Sequence, residues 1–397
     1  MILLSRSPNR TLIAFGAVSF AYFAYVALFN TYAPLWFQSL GYSTLAIGTL
    51  LSMQSATRVF GPYAWGWLAD HSGQRIPLLR VAVGLALLCS LGFLLWPGYG
   101  WIATITVAVS LCTAGVVPLN EAALAHLVSH EGMLDARRYG RTRVWGSIGF
   151  VLAVTFSGLA LQWVGIGGLP ALVIALLALL LLATLRLPVA HEPAHANTSV
   201  PDALTVLRNP AVAWFFAGVF FHVLAHVSLY AFLSLYLVAL GYSKAAVGLI
   251  WGWAVGVEVI WFWCQGRWLN RMPTHGWLIL AALVMSLRCT LLAAFGGNVW
   301  MLVLAQSTHA LTFAAHHTVC IVVVNRHFAG RLRGRGQALY SVLGYGASGV
   351  IGGVAGGALT QAWGYAAVFW AASVAAMLAA LCNWRAFLCE RRVALGR

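Results

Sequence analysis

Arg58, Glu121, Glu258 and Arg288 stand deep inside apolar stretches of this 397-residue chain, where residues of these types can do chemistry. A charged side chain far from water is expensive, so it pairs with an opposite charge or faces a polar cavity. Two acids and two bases can pair with one another, hold a mobile proton or, through the arginine forks, receive a carboxylate. Histidines add to the set. His222 and His226 are four residues apart, and His309, His316 and His317 cluster in a later stretch. The spacing of the first two suits a metal site, yet no carboxylate or cysteine accompanies them at ligand spacing. Hydrogen bonding or proton relay is therefore the preferred reading, with no metal and no cofactor. His309 and His316, seven apart, are expected on one helix face, with His317 turned by roughly 80–100°. His126, His130 and His327 lie toward the ends of their stretches and are expected to be solvated.

The stretches that carry these residues fix the class of protein. Hydrophobic residues make up 61% of the chain and charged residues 8%, which excludes a soluble globular domain. Apolar windows of about 20 residues, enough to cross the hydrocarbon layer, recur along the whole length. The expected spans are 11–37, 44–69, 75–96, 100–127, 141–164 and 168–187, then 210–240, 243–269, 275–296, 298–325, 335–361 and 364–388.

An excess of 23 Lys+Arg over 8 Asp+Glu would suggest nucleic acid in a soluble protein. Here the bases, among them Arg10, Arg75, Arg80, Arg138, Arg141, Arg186, Arg208, Arg271, Arg326, Arg335 and Arg391, fall at every second connection or at the termini. The intervening turns hold one base, Lys244. That alternation is the positive-inside pattern: both termini cytoplasmic, an even number of spans, about twelve, and no nucleic-acid partner. The first apolar run is too long for a signal-peptide core and has no small-residue cleavage site, so it reads as the first span of an inner-membrane protein. Seven scattered cysteines read as packing residues. Trp36, Trp101 and Trp300 fit an interfacial belt, while Trp251 and Trp253 suit a cavity wall.

The chain repeats itself. Leu40-Gly41-Tyr42-Ser43 recurs as Leu240-Gly241-Tyr242-Ser243, and Gly48 recurs as Gly248. In the same register Arg58 falls on Glu258, Gly66 on Gly266 and Asp70 on Asn270. Parallel repeats of this kind build two-lobed membrane carriers with a substrate site near the bilayer midplane. The lobes are expected at 1–187 and 210–397, joined by a cytoplasmic linker at 188–209 that Pro188, Pro193, Pro201 and Pro210 break. Glycines at every fourth position, Gly248, Gly252 and Gly256 and again Gly349, Gly353 and Gly357, predict close helix contacts.

The connection after the second span, Gly66-Trp67-Leu68-Ala69-Asp70-His71-Ser72-Gly73-Gln74-Arg75, resembles the signature loop of the major facilitator superfamily. That resemblance implies an all-α integral membrane fold of about twelve helices in two six-helix lobes. It also implies a cytoplasmic gate motif formed by Gly66, Asp70, Gly73 and Arg75, with His71 in place of the usual base. The second-half counterpart, Gly266-Arg267-Trp268-Leu269-Asn270-Arg271, has lost the acid. Tyr139-Gly140-Arg141-Thr142-Arg143-Val144-Trp145-Gly146-Ser147 and Met285-Ser286-Leu287-Arg288 resemble the branch of proton symporters that includes lactose permease and the phenylpropionic acid transporters. His226, His309 and His317 look most like the phenylpropionic acid branch. Where the lactose carriers have a tenth-span acid, this chain has Thr312.

The charge inside an apolar span puts Arg58 in a substrate site; the resemblance adds Glu121, Arg143, Arg288, His226 and His317 to it and assigns Glu258 with His309 to proton coupling. Arg288 is expected to partner Glu258. The function expected is proton-coupled uptake of a small organic acid, aromatic or otherwise, by a monomer working through alternating access. A neutral sugar or nucleoside is the alternative cargo. An intramembrane metalloenzyme and a non-transporting scaffold are the remaining classes, the first of which the two-lobed repeat opposes.

Overall fold

The computed structural model describes residues 8–130, 133–134, 136–189, 203–328 and 332–394. His191, Glu192, His195 and Asp202 of the expected linker lie outside the described residues, as do the side chains of His126, His130 and Arg141. In chain order the helices are α1 (Pro8–Ser39), α2 (Thr44–Ser72), α3 (Arg75–Ser90), α4 (Tyr99–Thr113), α5 (Val116–Val128), α6 (Ala136–Val164) and α7 (Leu169–Leu185). They continue with α8 (Pro210–Ala239), α9 (Lys244–Cys264), α10 (Thr274–Phe295), α11 (Val299–Ser307), α12 (His316–His327), α13 (Arg333–Leu339), α14 (Ser348–Trp363) and α15 (Tyr365–Ala394). A two-residue ladder, Ser129–His130 with Met133–Leu134, is the one piece of strand among the described residues.

Each expected span is helical, and three are assembled from pieces. The fourth joins α4 to α5. The tenth runs from α11 through a π-turn, Ala310–Ala315, into α12, and the eleventh from α13 through a π-turn, Tyr340–Ala347, into α14. Eleven helical stretches among the described residues are long and apolar enough to cross a bilayer. The twelfth is α2, whose 29 residues extend about 43 Å at the usual rise, but which carries Gln54, Arg58, Asp70 and His71.

The internal repeat is legible in the backbone. Gly41 and Gly241 both take positive φ (85° and 91°), a conformation glycine adopts without strain, and both end the preceding helix. Ser43 then caps α2 by accepting from the Ala46 amide at 3.2 Å, and Ser243 caps α9 from Ala246 at 3.1 Å. With both helices starting at the same offset, Arg58 and Glu258 occupy the same place along α2 and α9.

Two compact units result: Met1–Leu40 with Thr57–Asn197, and Gly41–Ala56 with Thr198–Arg397. In the first, α1 packs on α6 and α7, and α3 on α4, α5 and α7. Gly146 and Gly149 let α6 approach α1 so closely that a Cβ on either would strike Phe23 or the Phe20 backbone. Tyr32 locks the same pair by donating to the Val154 carbonyl at 2.9 Å. Trp36 is buried against Phe93 (5.4 Å between rings) instead of sitting in an interfacial belt.

In the second unit α15 packs on α8 and α10. The opening half of α2 joins this unit, and glycines explain why. Gly349, Gly353 and Gly357 of α14 meet Ser55, Ser52, Gly48 and the Thr44 carbonyl with no room for a side chain. Ser52 Oγ donates to the Val350 carbonyl at 2.7 Å and Thr44 Oγ1 to the Gly357 carbonyl at 3.3 Å. In the companion glycine pattern on α9, Gly248 and Gly252 are buried, whereas a Cβ on Gly256 would meet open space.

Candidate functional site

In the first unit Glu121 on α5 and Arg143 on α6 form an ion pair, Nε to Oε1 3.0 Å, with both side chains about one-third exposed (32% and 36%). Their helices are brought together by α1, whose Phe23 ring lies 4.4 Å under the Arg143 guanidinium. Glu121 shares a cleft with Ser19, Tyr22, Phe23 and Asn120, and Asn120 Nδ2 donates to Ser19 Oγ at 3.2 Å. Tyr22 also lies in electrostatic range of Arg58, Arg143 and Glu121. Arg58 itself is exposed and, among the described residues, makes no ion pair. Within its own unit and among the described residues, the expected mutual pairing of charges does not extend to Arg58. Two bases and one acid give this site a net positive charge.

The second unit builds a different arrangement. Arg288 on α10 has no exposed surface at all and touches no acid. Its NH1 donates to His309 Nδ1 at 3.0 Å and to Thr312 Oγ1 at 2.9 Å, and its NH2 donates to Gln306 Oε1 at 2.5 Å. Thr312 thus supplies an acceptor in the place where the resemblance led one to look for an acid. His309 Nε2 in turn lies 3.1 Å from Glu258 Oε2 on α9. The direct Glu258–Arg288 contact expected from sequence is replaced by a chain with an imidazole in the middle.

That chain has a fixed polarity. A guanidinium can only donate, so His309 Nδ1 must be a lone pair and the ring hydrogen sits on Nε2, pointing at Glu258. Arg288 therefore locks the His309 tautomer and leaves Glu258, 14% exposed at its side chain, as the member best placed to exchange a proton.

The π-turn decides which histidines share a face. His309 stacks on Phe313 (5.3 Å, 7° between planes) and Phe313 on His317 (6.0 Å, 6°). His316, expected on the His309 face, instead stacks on His222 at 3.6 Å. A wider helical turn delays the return of a face by about one residue, which exchanges the roles of His316 and His317. His317 Nδ1 lies 3.0 Å from the Tyr340 hydroxyl. His226 lies 5.1 Å from His222 and 6.2 Å from His309, ring to ring. Trp251 is buried, donates to Ser234 Oγ at 3.2 Å and stacks on Tyr230, whereas Trp253 is exposed.

At the helix ends, Arg75 NH2 grips Asp70 Oδ1 at 2.9 Å across the turn that Gly73 makes with φ 64°. In the second half Arg271 lies 4.3 Å over the Trp268 ring, a cation–π contact where the acid is lost. His327 is partly buried instead of solvated: its Nε2 is 3.6 Å from Glu390 Oε1, while His275 Nε2 is 2.9 Å from Oε2 of the same carboxylate.

Gln306 and Glu390 went unnoticed in the sequence. Gln306 precedes His309 by three positions, a spacing that puts polar groups on one helix face and could have flagged it.

The profile of the MFS_1 like family matches residues 12–371. A probable 3-phenylpropionic acid transporter of Escherichia coli (strain K12) is 29% identical over 375 residues, with 90% of this chain and 93% of that protein covered. The maltose permease of Geobacillus stearothermophilus is 26% identical over 350 residues, covering 88% and 87% respectively. Among solved structures, a variant of the nucleoside transporter NupG superposes with a TM-score of 0.84, at 18% identity, over 95% of this chain and 100% of that one. At that identity the likeness speaks for the fold.

Proposed function

This chain belongs to the MFS_1 like family of multi-pass membrane transporters, and from that premise we propose that it is a proton-coupled symporter of a small organic acid. It works as a monomer in the cytoplasmic membrane, with both termini cytoplasmic, and the segments 1–187 and 210–397 act as the lobes of an alternating-access cycle. The observation that carries this reading is the Arg288–His309–Glu258 chain. With the His309 tautomer fixed, a proton arriving at Glu258 neutralises the only acid in the chain and leaves the Arg288 charge without its balance. The protonated and deprotonated states thus differ in local charge, which is what biases one conformation over another.

An acid as cargo is favoured by the unmet charge of Arg58 beside Tyr22, since a carboxylate can take both donors of a guanidinium fork. The similarity to a probable 3-phenylpropionic acid transporter points the same way. Asp70, Gly73 and Arg75 serve as the cytoplasmic gate motif. A second reading, a neutral sugar or nucleoside, draws on the Glu121–Arg143 pair, which is already self-neutralised and offers polar edges to hydroxyls, and on the maltose permease relative.

The test is transport in proteoliposomes with and without a pH gradient. Glu258→Gln, a mimic of the protonated state, should retain exchange of aryl carboxylic acids at equilibrium and lose accumulation driven by the gradient. Full accumulation by the Gln variant would take the proton away from Glu258.

A further inference from the structure

Gln306 on α11 is an amide sealed inside the second unit, at 1% exposure, and its one named contact is with Arg288. A guanidinium only donates, so it is the amide oxygen that faces Arg288 NH2, at 2.5 Å. The amide nitrogen is also buried, and among the described residues no acceptor meets it. A glutamate would offer the same oxygen through a stronger, charge-assisted bond and would leave no buried N–H unmet. As an anchor alone, the amide is therefore the poorer choice. What it has that an acid lacks is neutrality.

Neutrality matters because of where the acid of this chain stands. The acceptors on the Arg288 fork, Gln306 Oε1, Thr312 Oγ1 and His309 Nδ1, are all uncharged. His222, His226 and Tyr230 of α8 and Cys289 of α10 also lie in electrostatic range of Arg288, and none is a carboxylate. The whole positive charge is left to act on Glu258 of α9, across the His309 ring. Attraction between unit charges grows as their separation shrinks. A carboxylate at position 306, in direct contact with the fork, would outweigh Glu258 and favour Glu258 in its protonated form.

We propose that Gln306 is a positioning residue that sets the pH at which Glu258 trades its proton, by fixing the Arg288 fork while leaving its charge uncancelled. The inference rests on the reading of Glu258 as the proton carrier and names the group that tunes it through Arg288.

The test needs no substrate. Infrared difference spectroscopy of the purified full-length protein follows the C=O band of the protonated Glu258 carboxyl across pH, a band identified by its loss in Glu258→Gln. Each acid variant is read against the same variant carrying Glu258→Gln, which removes the new acid's own signal. Gln306→Glu should move the midpoint of the Glu258 band upward by about one pH unit, a tenfold tighter hold on the proton. Gln306→Met removes the anchor without adding charge, so it should lower the thermal midpoint and leave the band midpoint close to its original pH. Thr312→Asp puts an acid on another arm of the fork; it should reproduce the upward shift, and it carries the test if Gln306→Glu does not fold. A Glu258 band that titrates normally but stays in place in the acid variants overturns the inference and leaves the proton reading standing. An equal upward shift in Gln306→Met also overturns it, because Gln306 would then be an anchor only. No Glu258-dependent band at any pH overturns both the inference and the reading of Glu258 as proton carrier.

Discussion

Both units carry charges inside apolar segments, with Arg58 and Glu258 at equivalent places of the repeat, yet they solve the problem of charge in opposite ways. In the first, Glu121 and Arg143 meet as a pair one-third exposed, and Arg58 is exposed without an ion pair among the described residues. In the second, Arg288 has no exposure and is surrounded by neutral acceptors, with its balancing acid one imidazole away. Exposed charge can be lent to a ligand, because water already screens it and little is lost on exchange. Sealed charge cannot be lent, but it responds strongly to any change in its partners. The comparison is what leads us to propose anion capture in the first unit and proton sensing in the second.

The strongest way to break that contrast is at Arg288. Replacing it with Met leaves three buried acceptors without their donor, and should lower stability by about 2–4 kcal/mol, read as a fall in thermal midpoint. Arg288→Lys keeps the charge but cannot span the same three acceptors. A Lys variant as stable as the parent would mean that the fork geometry is not what holds α10 to the π-turn.

A middle-sized effect is expected at Arg58. Arg58→Gln should weaken binding of carboxylate substrates by about tenfold to a hundredfold, the range of a charge-assisted hydrogen bond, with no loss of thermal stability. A variant with unchanged affinity for acids would give the first unit no role in anion capture. The smallest effect belongs to Glu121 and Arg143. A double-mutant cycle with Gln at each should return a stability coupling of about 0.2–1 kcal/mol that shrinks as salt is raised, as for other solvent-screened pairs.

Sequence patterning told a great deal about the fold, because spans, caps and the repeat depend on local periodicity and on glycine at positive φ. Gly41 and Gly241 marked the repeat before any coordinates. The Glu121–Arg143 contact was foreseeable from the resemblance to the proton symporters, whose fourth- and fifth-span pair these residues match. What could not be read was helix phase beyond residue 309. Neighbours three and four apart were projected with a regular turn, and the wider turn at Ala310–Ala315 moved His317 to where His316 was expected. The imidazole between Glu258 and Arg288 was hidden for a related reason: which of two polar groups stands nearer a third is a matter of tertiary distance, which spacing along one helix does not contain. The same holds for Glu390, whose partners come from α10 and α12.

The wide turn at Ala310–Ala315 has a consequence for how the span breathes. There the regular i→i−4 ladder is interrupted, so the tenth span is two rigid rods joined by a softer segment rather than one continuous rod. Amide hydrogens of that segment, between His309 and His316, should exchange with deuterium faster than those of α11 and α12 on either side, although the segment lies in the middle of the Val299–His327 span. The stacked rings His309, Phe313 and His317 sit astride this soft segment, so the proton chain is mounted on the part of the helix most free to change its pitch.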